Sequence, residues 1–274
     1  MKSRIATTFV AALGLLILNA SMANADWNPG DDYKMHFPQL PDPNGFDVEL
    51  SATLADDWLC TETGPVTDIH FWFSAKGDWL DLSQPIDQQI FSLGITIYED
   101  VPALPAVPNS KPAAQVWFRT FPSPFSQVSF RQYGTGSQSW FRPQDSLLIP
   151  NDHQKIYQCN ISGIVDPFYQ KKGTIYWIQV TIVSHDRLGW KTSNAAVYPS
   201  PYTGQHYQDI AVQRASDLKT PLFYPAGPNA GQGMDFAFVI NGAPDVFNHK
   251  MHFPQYPDPT GADVTFAFRK VAAD

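Results

Sequence analysis

Residues 174–183 read Thr-Ile-Tyr-Trp-Ile-Gln-Val-Thr-Ile-Val. Apolar side chains recur at every second position from Tyr176 to Ile182, among β-branched and aromatic residues. Successive side chains of a strand point to opposite sides of a sheet. The segment therefore predicts a β-strand with one buried face, and Trp177 and Gln179 are expected on the other face.

Eight further runs share this alternation and are separated by stretches rich in glycine and proline. We find no amphipathic helix longer than about two turns. This pattern predicts an all-β domain over residues 34–240, an antiparallel β-sandwich of jelly-roll-like form with long loops. The runs are Phe46–Thr53, Thr67–Ser74, Phe91–Tyr98, Gln115–Thr120, Gln127–Arg131, Lys155–Ile161, Met234–Ile240 and Ala262–Phe268.

The stretch from Asn194 to Gly233 departs from this pattern. Its proline, tyrosine and glycine content predicts an elaborated loop, with one short helix near Ile210–Leu218. Loops of this length are often functional.

The first 25 residues have the three parts of an export signal. Lys2 and Arg4 precede an apolar stretch from Ile5 to Leu18, and a small-residue cleavage site follows at residues 23–25. The mature chain is then expected to begin with a short linker, residues 26–33, and to be secreted, periplasmic or on the cell surface. The apolar stretch is shorter than the ~20 residues that span a bilayer, so we predict no membrane span after cleavage.

The charge of the chain argues against nucleic acid as a partner. The formal net charge is −8, and loss of Lys2 and Arg4 with the signal makes the mature chain more acidic. An acidic surface repels a phosphate backbone.

Cys60 and Cys159 are the two cysteines, and both lie in the part that is expected to be exported. An oxidising compartment permits a disulfide between them. The alternative is a pair of buried free thiols, because sequence spacing does not show whether the two residues meet in space.

One segment of the chain is repeated. Lys34–Val48 and Lys250–Val264 are identical at twelve of fifteen positions. A tandem array of ~200-residue domains accounts for this identity, with residues 241–274 as the opening of a second repeat. The alternative is that residues 241–274 supply a closing strand to the same sandwich.

A series of short motifs, taken together, resembles an uncharacterised family of exported bacterial β-sandwich domains. The resemblance implies the fold, export and tandem copies, but it supplies no catalytic residues. Some members carry a C-terminal sorting or anchor segment, and nothing near Asp274 resembles one. The motifs are Leu54-Ala-Asp-Asp-Trp58, Gly64-Pro-Val-Thr-Asp-Ile-His-Phe-Trp72, Ile97-Tyr-Glu-Asp100, Thr174-Ile-Tyr-Trp177, Gly189-Trp-Lys-Thr-Ser193 and Met234-Asp-Phe-Ala-Phe-Val-Ile240.

Strand alternation also predicts a ligand-binding face. If the strands share a sheet, their outward residues form an aromatic surface with polar neighbours, which suits a polysaccharide because sugar rings stack on aromatics and their hydroxyls need polar partners. The alternative is that loops cover this face and the aromatics form a second, minor core. The residues are His70, Trp72, Tyr98, Trp117, Arg119, Trp177 and Gln179, and the same alternation buries Val116 and Phe118.

Asp56, Asp57 and Asp235 suggest a second kind of site. Two adjacent carboxylates at a strand end and a third from a late strand could form an oxygen-only calcium site. The alternative is that Asp56 and Asp57 accept backbone N–H groups at a turn, as aspartates readily do.

Catalytic motifs are absent from the sequence, so we expect a domain that is not an enzyme. Asp152-His153 and His185-Asp186 are neighbours of a kind that is common in loops. The leading expectation is non-catalytic binding, with extracellular polysaccharide or a cell-surface component as the partner, or a purely structural module at the cell surface. The alternative is a glycan-active hydrolase or lyase, which needs two carboxylates across a cleft.

Overall fold

The computed structural model describes residues 26–51, 53–194, 210–214 and 220–242. The expected export signal and the second copy of the repeat lie outside these described residues. Short 3₁₀ turns occur at Lys76–Asp78 and Ile86–Gln88, and the described residues contain no α-helix, hence none that could span a membrane. The strands are β1 (Phe46–Glu49), β2 (Thr53–Leu59), β3 (Gly64–Val66), β4 (Asp68–Ala75), β5 (Ile90–Val101), β6 (Lys111–Pro122), β7 (Val128–Arg142), β8 (Leu147–Ile161), β9 (Phe168–Gln170), β10 (Ile175–Ser184), β11 (Leu188–Ser193), β12 (Val212–Arg214), β13 (Thr220–Pro221), β14 (Asp235–Phe236) and β15 (Phe238–Asn241).

The strands form three sheets. The largest has seven strands in the order β14-β11-β1-β7-β8-β4-β15, and the second has six in the order β13-β12-β2-β10-β5-β6. β3 and β9 pair as a separate two-stranded sheet. The all-β prediction is therefore confirmed.

The seven-stranded sheet closes on itself. β11 pairs with β1 along one edge, and residues Leu188–Trp190 of β11 also pair with Phe73–Ala75 of β4. β11, β1, β7, β8 and β4 thus form a closed five-stranded ring. β1 lies parallel to β7, whereas the other neighbours in the ring are antiparallel. This closed ring does not confirm the jelly-roll order predicted from the sequence.

One hydrophobic core receives side chains from both large sheets. Trp190 of β11 stacks on Phe236, with ring centroids 4.6 Å apart, and its edge meets Phe71 of β4. Trp58 of the six-stranded sheet contacts Phe238 at 6.3 Å. Buried aromatic side chains of this size dominate the hydrophobic stabilisation of a domain, so the ring and the six-stranded sheet depend on each other.

The segment before β1 is part of this core. Met35, Phe37 and Leu40 are buried. The backbone N–H of Lys34 donates to Ile240 O, and that of Gln39 donates to Phe238 O. The first copy of the repeat is therefore an integral part of the domain.

The expected helix near Ile210–Leu218 is not found in the part that is described. Val212–Arg214 is β12, which pairs with Thr53–Ala55 of β2. Residues 215–219 lie outside the described residues. Pairing with the edge of a sheet overrides a weak local helix propensity here.

Cys60 and Cys159 do not form a disulfide, and the structure has the alternative of two buried free thiols. Cys159 lies on β8 inside the ring, whereas Cys60 follows β2 in the other large sheet. The Cys60 thiol donates to Glu62 O at 3.3 Å. Burial raises the pKa of both thiols, well above the ordinary value for Cys159.

A substitution at Gly189, on β11, tests how closely the strands of the ring approach each other. A Cβ at this position would lie 3.0 Å from Asp47 Cβ and 3.0 Å from Trp140 Cζ3. We expect Gly189→Ala to lower the free energy of unfolding by about 1–3 kcal/mol, because an added methyl group overpacks the site. The measurement is equilibrium unfolding in urea. Gly134→Ala in β7 is the matched control, because its Cβ would meet nothing within 4 Å, and a change within about 0.5 kcal/mol is expected. Equal effects of the two substitutions would contradict the close approach of strands at Gly189.

The state of the two cysteines is tested by counting thiols with an aromatic disulfide reagent. Thiolate is the reactive form, and burial with a raised pKa keeps it scarce. We expect both cysteines of the folded protein to react slowly, and both to react at once in denaturant without any reductant. If the cysteines react in denaturant only after a reductant is added, Cys60 and Cys159 are joined by a disulfide after all.

Candidate functional site

The residues predicted to share one binding face lie in two different sheets. His70 and Trp72 belong to β4 in the ring, whereas Tyr98, Trp177 and Gln179 belong to the six-stranded sheet. The single aromatic face predicted from the sequence is therefore wrong. Each part of it has its own environment.

Trp72 and His70 are buried side chains of the ring. The Trp72 indole lies edge-on to Trp27, with centroids 6.0 Å apart, and to Tyr133 at 5.4 Å. His70 Nδ1 is 2.7 Å from Asn160 Oδ1, and burial lowers the pKa of the imidazole. The N-terminal segment that contains Trp27 covers this side of β4, so neither residue presents a surface to a ligand.

The two faces of β6 are reversed relative to the prediction. Ile97 of β5, which is buried in the core, pairs with Trp117, so the two side chains lie on the same side of the sheet. Trp117 packs against the main core, and its indole N–H donates to Asp166 O. Tyr98 then pairs with Gln115, so Val116 is an extra residue in β6. Arg119 likewise points away from the predicted face, and its guanidinium pairs with Asp166.

The residues of β6 that were expected to be buried are exposed. Phe118 is 54% exposed and Val116 is 40% exposed. Phe118 pairs with Thr96 of β5, which in turn pairs with Gln179 of β10, so the three side chains form one row across the sheet.

We call this surface the outer face and define it by Thr96, Tyr98, Phe118, Gln179 and Thr181. Thr96 is itself buried, between Phe118 and Gln179. The Tyr98 hydroxyl donates to Gln179 Oε1 at 2.6 Å. Gly94 lies beneath the Phe118 ring, because a Cβ there would be 3.6 Å from Phe118 Cε2 and 2.5 Å from Thr181 Oγ1. The result is a sheet face with one exposed aromatic ring beside half-buried hydroxyl and amide groups.

Trp177 belongs to this side of the sheet but is buried. It packs with Ala55 and Val212, and Tyr98 lies against this small cluster. The indole N–H donates to Asp100 Oδ1 at 2.8 Å. Trp177 therefore supports the outer face from below, and this part of the prediction matches the alternative of a second, minor core.

The three predicted calcium ligands do not form one cluster in the structure. Asp56 and Asp57 are adjacent within β2, so their side chains point to opposite faces, and Asp235 lies in β14 of the other large sheet. Asp56 accepts the N–H of Phe236 at 2.6 Å and that of Asp57 at 2.9 Å. Among the described residues, no three His, Cys, Asp or Glu side chains are grouped to hold a metal. Calcium binding stays a prediction.

A buried ionic cluster lies on the ring strands and was not predicted. Lys191 of β11 is 3.2 Å from Asp47 Oδ2 of β1, and His153 Nε2 of β8 is 2.9 Å from the same oxygen. His153 Nδ1 is 3.2 Å from Asp152 Oδ2. The sequence offered a signal for this cluster, because Asp47 recurs as Asp263 in the repeat and Lys191 lies in the Gly189–Ser193 motif.

Burial and pairing oppose each other in this cluster. For Asp47, burial raises the pKa, but Lys191 and His153 outweigh it and the pKa is lowered. For His153, burial lowers the pKa, but the hydrogen bonds and charges of Asp47 and Asp152 leave it raised. For Lys191, burial prevails over the attraction of Asp47 and the pKa is lowered. Such a cluster holds strands together and, being buried, meets no substrate.

Two of the surface recesses are candidates for small ligands. The first, of about 280 Å³, lies beside the start of β1 and includes Asn44, Phe46, Tyr224 and Asn229 in its lining. The second, of about 310 Å³, lies at the start of β11 and includes Glu49.

Glu49 of the second recess is held in place by neighbouring donors. Its carboxylate accepts hydrogen bonds from the Trp140 indole at 3.0 Å, from Arg187 at 3.3 Å and from the Ser51 hydroxyl at 2.5 Å. These three hydrogen bonds fix the position of the Glu49 carboxylate in the wall of the second recess.

A family model described as Domain of unknown function (DUF7901) matches residues 35–241. This match agrees with the expected family of domains without an assigned activity, while the motif series and tandem copies stay predictions. No curated protein and no solved structure matches the chain.

The ionic cluster generates a pH-dependent stability. A raised pKa of His153 contributes stability that is present below about pH 6.5 and is lost as the pH rises through the folded-state value. The lowered pKa of Asp47 contributes stability that is lost as the pH falls below about 3.8. We expect His153→Gln to lower the free energy of unfolding by about 1–3 kcal/mol near pH 5.5 and by clearly less near pH 8.5.

The measurement is urea unfolding of both proteins at each pH. The difference between wild type and variant removes the contribution of His70, whose lowered pKa acts in the opposite direction. A difference that stays constant or grows with pH would show that His153 is not held charged by Asp47 and Asp152.

Proposed function

The chain belongs to the family described as Domain of unknown function (DUF7901), and from this premise we propose that its domain is a non-catalytic module that binds polysaccharide on the outer face. The observation that carries the proposal is the exposed Phe118 ring, which lies beside the hydrogen-bonded pair of Tyr98 and Gln179. A sugar ring has an apolar C–H face that stacks on an aromatic ring, while its hydroxyls need fixed donors and acceptors at the edge.

The rigidity of the outer face supports this role. Thr96, Phe118 and Gln179 lie on three hydrogen-bonded neighbouring strands. The Tyr98 hydroxyl is held by Gln179, and Trp177 packs below it. Side chains that are already ordered lose little conformational entropy when a ligand binds.

A sandwich arrangement of the two large sheets supports the accessibility of this face. The shared core uses the side of the six-stranded sheet that carries Ile95, Ile97 and Ile178. The outer face lies on the opposite side, where a polymer can lie along the sheet. The ligand is then an extracellular or cell-surface glycan, in keeping with export of the chain to the periplasm, the cell surface or the medium.

Substitution of Phe118 tests the proposal. Removal of the ring deletes the stacking surface, so we expect Phe118→Ala to weaken binding about tenfold, which corresponds to ~1.4 kcal/mol. The measurement is a depletion isotherm of the chain from Asp26 on insoluble polysaccharides (cellulose, chitin, xylan and mannan), with calcium and with chelator.

Tyr169→Ala is the matched control, because Tyr169 is a comparably exposed aromatic (49%) in the separate sheet of β3 and β9. It is expected to leave binding unchanged. Loss of binding on chelation would bring calcium into the mechanism. Absence of binding to every polymer, or equal loss in both variants, would overturn the outer face as a polysaccharide site and favour a structural module.

A further inference from the structure

The recess beside β1 combines aromatic and amide side chains in one place. We call it the Asn pocket and define it by Asp42, Asn44, Phe46, Tyr224 and Asn229. Its volume is about 280 Å³, just below the ~300–1,000 Å³ range of drug-sized ligand sites. The pocket is therefore of a size for a small molecule such as one sugar ring.

Two aromatic rings form the apolar side of the Asn pocket. Phe46 and Tyr224 have centroids 5.6 Å apart and are tilted by 59°. The Tyr224 hydroxyl donates to Ser193 O at 3.2 Å, which fixes the ring on β11. The hydroxyl is thus used by the scaffold, and the ring is buried, so Tyr224 backs the half-buried Phe46 at the pocket wall.

Two asparagine amides form the polar side. The side chains of Asn44 and Asn229 make no hydrogen bond to the residues that the structure describes, so each amide offers one acceptor and two donor hydrogens. Asp42 accepts the backbone N–H of Asn44 at 2.9 Å, which fixes the loop that carries the first of these amides.

The loop is built before any ligand arrives. The N–H of Phe46 donates to Thr192 Oγ1 at 3.0 Å, and this hydroxyl donates back to Phe46 O at 3.0 Å. Gly45 permits this approach, because a Cβ would lie 2.4 Å from Thr192 Oγ1. Phe46 and Asn44 are therefore presented by a loop that is anchored to β11.

The two copies of the internal repeat differ at residues that line the pocket and agree at residues that hold its loop in place. The two copies differ at Leu40, Asn44 and Phe46, which are Tyr256, Thr260 and Ala262 in the second copy. Two of these three positions line the Asn pocket. The residues that anchor the loop, Asp42 and Gly45, are the same in both copies. The second copy thus differs from the first at lining positions but has the same residues at the positions that shape the loop.

We infer that the Asn pocket binds a single neutral sugar ring, with the ring's C–H face against Phe46, which Tyr224 backs, and its hydroxyls on the amides of Asn44 and Asn229. A neutral ligand follows from the charges of the lining, which includes the carboxylate of Asp42 and no lysine or arginine. An anionic sugar would face that carboxylate without a cation to offset the repulsion. This site is separate from the outer face and does not depend on it.

The test uses the chain from Asp26 and a panel of methyl glycosides of glucose, galactose, mannose, xylose and N-acetylglucosamine, with glucuronate as the anionic comparison. Binding is followed by saturation-transfer NMR and by titration of backbone amide shifts. Two variants probe the pocket. The double substitution Asn44→Thr with Phe46→Ala installs the residues of the second copy, and Asn229→Ala removes the other amide.

We expect at least one neutral glycoside to shift the backbone amides of Asn44, Gly45, Phe46 and Asn229, and its affinity to fall tenfold or more in each variant. Phe118→Ala should leave this binding unchanged, which separates the Asn pocket from the outer face. The inference is overturned if no glycoside shifts these amides, if both variants bind as well as wild type, or if glucuronate binds more tightly than every neutral sugar.

Discussion

The insertion of β1 between β11 and β7 is the constraint on which the rest of the domain depends. Four residues of β1 bridge two strands that are otherwise not neighbours, and this bridge completes the ring. Between β1 and β7 the chain leaves the ring for β2, returns to it as β4 and leaves it again for β5 and β6. The parallel pair therefore joins strands that are distant in the sequence.

The buried ionic cluster explains how so short a strand keeps its register. Val48 faces the hydrophobic core, while Asp47 meets Lys191 and His153 on the opposite side. A slip of one residue would place the carboxylate in the core and leave Lys191 opposite an apolar side chain. An uncompensated buried charge costs several kcal/mol, whereas the paired cluster gains little over an apolar packing. The cluster therefore contributes mainly to specificity, by penalising wrong registers.

Sequence periodicity predicted the positions of most strands, but it did not predict which strand faces are buried. The run Thr174–Val183 became β10 with the expected sides, because regular alternation survives wherever pairing is regular. In β4 alternation identified two faces, yet both are buried, since the segment around Trp27 covers Trp72. In β6 aromatic side chains occur on both faces, and the pairing of Trp117 with Ile97 of β5 decided which face is buried. Strand pairing and coverage by other segments involve distant parts of the chain, so a local pattern cannot reveal them.

The groups proposed to bind a ligand in the Asn pocket lie at positions that the closure of the ring leaves unconstrained. Gly45 and Asp47 have their neighbours fully determined by Thr192 and Lys191, and a change at either disturbs the closure. Asn44 precedes Gly45 in the sequence, and its side chain is exposed and carries no such requirement. The differences between the two copies of the repeat follow this division, since Asn44 and Phe46 differ while Gly45 and Asp47 do not. A segment that closes the ring can therefore also carry a variable binding surface, because alternate residues serve the two tasks.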